Sequence, residues 1–131
     1  MGEVISLRRW RIAYDAEKRL LACRDTLFAI HQRAQWFMVG ESDAVALASF
    51  RNDICGYERE VELLLEVARP SEVNKRLQWL IPSAWTLYFE AGVLVARDSV
   101  HARAAFGREL AAFSAQVFDL FPRLGSGPSA A

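Results

Sequence analysis

A heptad-like spacing of apolar residues recurs four times along this chain of 131 residues. Within each run the steps alternate between three and four residues, which keeps the side chains on one face of an α-helix. Because four such stripes have to bury against one another, the sequence predicts an all-α fold, an antiparallel bundle of four main helices. The four stripes are Ala13, Ala16, Leu20, Cys23, Leu27, Ile30, Ala34 and Phe37; Leu47, Phe50, Ile54, Tyr57, Val61, Leu64 and Ala68; Val73, Leu77, Leu80, Ala84, Leu87, Ala91 and Leu94; and Phe106, Leu110, Phe113, Val117, Leu120 and Leu124.

Capping residues and prolines set the predicted helix boundaries. Glycine past a helix C-terminus, Ser or Asp at an N-cap and proline just beyond an end are the signals present in this chain. The predicted helices are helix one from near Ser6 to about Met38, helix two from about Asp43 to Ala68, helix three from Ser71 to about Arg97, and helix four from Asp98 or Ser99 to near Phe121.

Pro82 lies inside the third stripe and lacks the backbone N–H that an interior helical position uses. We therefore expect helix three either to kink at Pro82 or to split into residues 72–80 and 83–97. Residues 1–121 then form a single helical-bundle domain. Residues 122–131 are mostly small and polar, and we expect them to form a flexible C-terminal tail.

Charge and cysteine content limit the function and the compartment. Lys and Arg number 16, and so do Asp and Glu, so the chain lacks the strongly basic field of a general nucleic-acid binder. Residues 1–11 lack the apolar core of a signal peptide, which predicts a cytoplasmic protein. Cys23 and Cys55 lie on or beside the stripes, so we expect buried free thiols, with a disulfide as the alternative. The usage of Ala, Arg, Leu and Trp suggests a bacterial protein.

Residues 77–96 approach the length of a membrane span. The segment is interrupted by polar residues, and a charged residue such as Glu90 within a span costs about 2.5–3.5 kcal/mol near its centre. We therefore expect no membrane span here, and interpret the segment as a fully buried helix of the bundle.

The first two predicted helices carry opposite charge. Residues 1–40 hold seven Lys or Arg against four Asp or Glu, and residues 41–69 hold seven acids against three Arg. Complementary pairing of the two helices accounts for this difference. The alternative is that the basic cluster, Arg8, Arg9, Trp10 and Arg11, projects from the bundle and contacts phosphate or an acidic partner.

An acidic row in helix two has two interpretations. Glu58, Glu62 and Glu66 are spaced four residues apart and therefore share one side of the helix. Such a row is usually a solvated surface. The alternative is a docking surface for a basic partner, because like charges four residues apart are mildly destabilising when uncompensated.

The sequence contains no signature of catalysis, of a metal site or of a cofactor. A di-iron site in a helical bundle needs several carboxylates and two Glu-x-x-His motifs, whereas Asp98 and His101 form the one comparable pair. Neither cysteine has an evident activating partner in the sequence. We therefore expect no catalytic residues, no metal, no cofactor and no enzymatic activity.

Two tryptophans flank the internal proline. Trp79 and Trp85 lie on either side of Pro82, where a disturbed helix would most readily form a pocket or partner groove. Together these features predict a small adaptor, chaperone, immunity-type or regulatory protein that acts by binding a protein partner or a second copy of itself. The alternative is a nucleic-acid-associated regulator that uses the basic segment of helix one.

Overall fold

The computed structural model describes residues 2–40 and 43–122, with side chains described at Arg11 and from Tyr14 onward. Four helices account for these residues, and no β-strand occurs among them. The predicted all-α bundle of four helices is therefore confirmed. The helices are α1 (Gly2–Met38), α2 (Ala44–Val67), α3 (Glu72–Ala96) and α4 (Val100–Leu120).

Side-chain caps fix the start of three helices. Asp43 accepts a hydrogen bond from the Ala46 N–H at 2.7 Å at the start of α2, and Ser71 and Ser99 cap α3 and α4 in the same way. Each cap satisfies a backbone donor that has no partner within its own helix. Gly40 follows α1 with a φ of 105°, a left-handed conformation that favours glycine. The predicted boundaries agree to within one or two residues, except that α1 begins at Gly2.

Helix α3 continues through Pro82 without a break. The predicted split into residues 72–80 and 83–97 is therefore wrong, and a kink at Pro82 within one helix stays a prediction. Leu80 and Ala84 are buried in the same core on either side of the proline, while Pro82 itself is exposed. Burial on both sides holds the helix together despite one missing backbone hydrogen bond.

The helices pack in chain order around one core. Each helix contacts the next, α1 also contacts α4, and α1 touches α3 across the diagonal. At the α1–α4 contact, Arg103 donates to the Met38 carbonyl at 3.1 Å and pairs with Asp98 at 2.8 Å. The side chains that fill the core are Cys23, Leu27, Ile30, Ala34, Phe37, Phe50, Ile54, Tyr57, Val61, Leu64, Leu77, Leu80, Ala84, Leu87, Ala91, Leu94, Ala102, Phe106, Phe113 and Val117.

Two residues depart from their predicted burial. Val73 is 40% exposed, and the neighbouring Asn74 is buried in its place, where its amide donates to the Arg69 carbonyl at 3.0 Å. Cys55 is exposed, so the prediction that both thiols are buried is wrong for this residue, although both cysteines are free. Cys55 lies one residue from the buried Ile54, and one residue turns a helical side chain by about 100°. Ala13 and Leu124 lie outside the described side chains.

Helix α1 is longer than its neighbours. Ion pairs of 3.7 Å between Arg19 and Glu60 and of 2.6 Å between Arg33 and Asp53 set the register of α1 against α2. Because α2 ends at Val67, α1 extends beyond that end by about ten residues, or roughly 15 Å. These two pairs also support the complementary pairing predicted for the oppositely charged helices.

Candidate interaction surface on helix α3

Helix α3 has two apolar stripes on different sides. The inner stripe faces the core and consists of Leu77, Leu80, Ala84, Leu87, Ala91 and Leu94. The outer stripe faces solvent and consists of Trp79, Pro82, Thr86, Phe89 and Val93, again at steps of three and four. The exposed fractions are 65% for Trp79, 70% for Phe89 and 52% for Val93. The prediction of a fully buried helix is therefore wrong.

The two stripes together explain the membrane-like composition of this segment. By length and composition α3 could cross a membrane, and 28% of its most apolar window is buried inside the bundle. The expectation of no membrane span in this segment therefore stays a prediction.

A groove between α3 and α4 adjoins the outer stripe. It has a volume of about 380 Å³, and Trp79 forms part of its wall above Leu80 and Leu120. Arg76 of α3 pairs with Asp119 of α4 beside it. The full lining is Glu72, Arg76, Trp79, Leu80, Ser83, Gln116 and Leu120.

The two tryptophans around Pro82 do not share this groove. Trp85 is half-buried, donates from its indole Nε1 to the Glu58 carboxylate of α2, and lies edge-on to Tyr88 at 5.6 Å. Six residues separate Trp85 from Trp79, and this separation turns the two side chains about 120° apart around the helix. Trp79 therefore belongs to the outer surface, whereas Trp85 joins α3 to α2.

The acidic row of α2 is divided in the structure. Glu58 binds Trp85, whereas Glu62 and Glu66 are exposed. Glu60 lies on the side of α2 towards α1, where its Oε2 is 3.7 Å from the Arg19 guanidinium and is buried with no hydrogen-bond partner among the described residues. Burial is the main cause that raises the pKa of the Cys23 thiol to about 12, and the nearby Glu60 carboxylate adds to it. This thiol is consequently protonated and unreactive at neutral pH.

The basic cluster is only partly described. Arg11 is exposed on the part of α1 that reaches the end of α2. The side chains of Arg8, Arg9 and Trp10 lie outside the described residues, so their contact with phosphate or with an acidic partner stays a prediction.

A buried polar pair that sequence reasoning missed joins α1 to α4. His31 is 4% exposed, its Nε2 lies 2.7 Å from the Ser114 hydroxyl oxygen, and its ring packs edge-on to Phe118 at 5.0 Å. Its Nδ1 has no hydrogen-bond partner among the described residues. Burial lowers the pKa of His31, which favours the neutral imidazole. No local signal could link His31 to a serine 83 residues away.

In the described part of the chain, no three side chains of His, Cys, Asp or Glu come together in a way that could hold a metal ion. Comparison with protein families, with curated proteins and with solved structures finds no match for this chain. The exposed side chains of α3 and of the helices beside it are therefore the features that point to a function.

Proposed function

We propose that this protein is a non-enzymatic interaction protein, and that the outer stripe of α3 is where it binds a protein partner. The observation that supports this proposal is the alignment of Trp79, Phe89 and Val93, each more than half exposed, on one side of one helix. Removing such side chains from water contributes about 25 cal/mol for each Å² of apolar surface, from which the entropic cost of association is subtracted. Continuous apolar surfaces of this kind mark interaction sites.

The outward surfaces of the other helices differ from the outer stripe. On α1, the exposed Leu21 and Trp36 are separated by the polar Asp25 and Gln32. Along the middle of α4 and α2 the exposed residues are mostly small or polar, among them Ala104, Arg108 and Ala111 on α4, and Arg51, Asn52 and Glu62 on α2. The large apolar residues exposed on these two helices lie in a first or last turn: Val45, Leu65, Val67 and Val100. The outer stripe runs from Trp79 to Val93 without a charged member. It is therefore the surface best suited to apolar contact.

The outer stripe and the adjoining groove suit a helical partner. Helix-binding surfaces accept apolar side chains spaced by three, four and seven residues, and the outer stripe offers contacts at that spacing over four turns. Trp79 lies at the junction of stripe and groove. Tryptophan is enriched among residues that contribute most to binding energy, so we expect Trp79 to be the main anchor.

Site-specific crosslinking in cells tests this proposal. A photoreactive amino acid placed at Phe89 should give discrete protein adducts, while the same group at the exposed Ala104 of α4 should not. In the Phe89 probe, the added change Trp79→Ala should strongly reduce the adduct, and Trp36→Ala should not, because Trp36 is similarly exposed at 59% but lies on α1. An absence of adducts from Phe89, or the same adducts from Ala104, would refute the proposal.

A second candidate function is binding of nucleic acid through the start of α1. The observation that favours it is the extension of α1 beyond α2, which carries the segment containing Arg8, Arg9 and Arg11 past the bundle. Duplex binding measured by anisotropy should then weaken with salt, with a log–log slope of about −0.9 for each phosphate contacted. Replacing the three arginines by alanine should flatten that slope. Absence of binding at about 0.15 M salt would eliminate this function.

A further inference from the structure

We infer that the partner of the outer stripe is a second copy of this chain, packed antiparallel so that Lys75 of each copy faces Glu90 of the other. This inference rests on the proposed function and specifies its partner. The observation behind it is the placement of two unpaired, opposite charges beside one apolar stripe, with Lys75 one turn before Trp79 and Glu90 next to Phe89.

Lys75 and Glu90 are the charges to be matched. Lys75 is exposed on the first turn of α3, on the same side as Trp79. Glu90 is half-buried next to Phe89. Neither side chain has a hydrogen bond or ion pair within the described part of the chain. Leaving a half-buried carboxylate without a partner is costly, and an incoming ammonium group would offset that cost.

The other charges of α3 are already accounted for. Arg76 is paired with Asp119 of α4. Glu72 lies in the first turn, where a carboxylate is stabilised by the positive end of the helix dipole. Arg97 lies beyond the helix as its C-cap residue. Lys75 and Glu90 therefore remain as the complementary pair that borders the outer stripe.

Antiparallel pairing of two copies satisfies both charges at once. A twofold interface places residue i against residue j and residue j against residue i, so a single match of Lys75 with Glu90 produces two ion pairs. The two residues lie about 22 Å apart along the helix, and the twofold axis then falls between Pro82 and Ser83. These small side chains let the two helices approach closely at the axis.

The same register also accommodates Trp79. Trp79 of one copy is level with Thr86 of the other, which leaves room for the indole ring. A parallel arrangement would instead place Lys75 against Lys75 and Glu90 against Glu90, which is unfavourable. The charge pattern therefore selects the antiparallel dimer.

Charge exchange combined with light scattering and sedimentation tests this register. The unmodified chain should form a dimer at about 100 µM or below. Lys75→Glu alone and Glu90→Lys alone should each weaken dimerisation by about tenfold or more, because each single change places like charges opposite each other twice. The double variant should recover most of the original affinity. Arg51→Glu and Glu62→Lys on α2 are the matched controls and should leave the dimer intact.

The possible outcomes distinguish failure of the dimer from failure of the proposed function on which it rests. A strictly monomeric chain would overturn the dimer, yet the proposed function would stand if the crosslink from Phe89 captured a different protein. A dimer that survives both single changes, or that the double variant fails to restore, would overturn the register. Circular dichroism of every variant shows whether the bundle has folded, so loss of the dimer is not confused with unfolding.

Discussion

The inner and outer stripes of α3 share one helix and one residue spacing, yet their surroundings are opposite. Leu80 and Leu87 of the inner stripe are almost fully enclosed by the other helices, whereas Trp79 and Phe89 of the outer stripe are mostly exposed. Spacing thus determines which side chains lie together on a helix. It does not determine whether the chain has another element to cover them.

The energetic consequence of this difference is testable with single truncations. Leu87→Ala removes a fully buried side chain and should lower the free energy of unfolding by about 2–5 kcal/mol. Phe89→Ala, two residues away, should change the free energy of unfolding of the monomer by less than about 0.5 kcal/mol. Urea denaturation at low protein concentration measures both. Comparable losses in the two variants would show that the outer stripe is part of the monomer core.

Pro82→Ala, within the outer stripe, should stabilise the folded monomer. Alanine restores the missing backbone donor in an exposed turn of α3, so we expect the free energy of unfolding to rise by about 1 kcal/mol or more. Thermal denaturation of the monomer measures the gain. A clear loss of stability would instead mean that the proline contributes packing which the exposed position does not reveal.

His31 extends the comparison to pH. Burial lowers the pKa of His31 in the folded state, so below pH about 6.5 the unfolded chain binds a proton that the folded chain does not. The stability contributed by neutral His31 should therefore be complete above that pH and decline as the pH falls. His31→Gln should flatten the acid limb of the stability curve.

Chemical labelling of the two cysteines tests the comparison with the smallest change to the bundle. A maleimide should label the exposed Cys55 rapidly without unfolding the bundle. Cys23 should resist labelling, because it is enclosed and burial raises the pKa of its thiol to about 12. Mass spectrometry of timed samples measures the two rates. Equal rates would show that the inner surface of α1 opens as readily as the outer surface of α2.

The sequence was sufficient for the helices and most of the core. Gly40, Asp43 and Ser71 act locally, so their effect on helix ends could be predicted from neighbouring residues alone. The error at Cys55 arose because a one-residue offset turns a side chain from the core towards solvent. Local patterns resolve such offsets poorly near the edge of a stripe.

The candidate surface was predictable only in part. Trp79 and Pro82 were predicted to contribute to a partner surface, and both are exposed on the outer stripe. The side chain of Trp85 could not be placed, because its partner is Glu58 on another helix. Phe89 is likewise exposed because none of the described helices covers it, which an apolar sequence pattern does not encode.

The short connections of the bundle have a consequence for how the chain folds. Residues 68–71 and 97–99 join helices that pack directly against each other, so most contacts connect neighbouring parts of the chain. Low contact order of this kind is associated with folding in microseconds to milliseconds. The contacts between α1 and α4 are the exception, since Met38 meets Arg103 across 65 residues and His31 meets Ser114 across 83. During synthesis we therefore expect α1, α2 and α3 to assemble as each is completed, with α4 docking against α1 last.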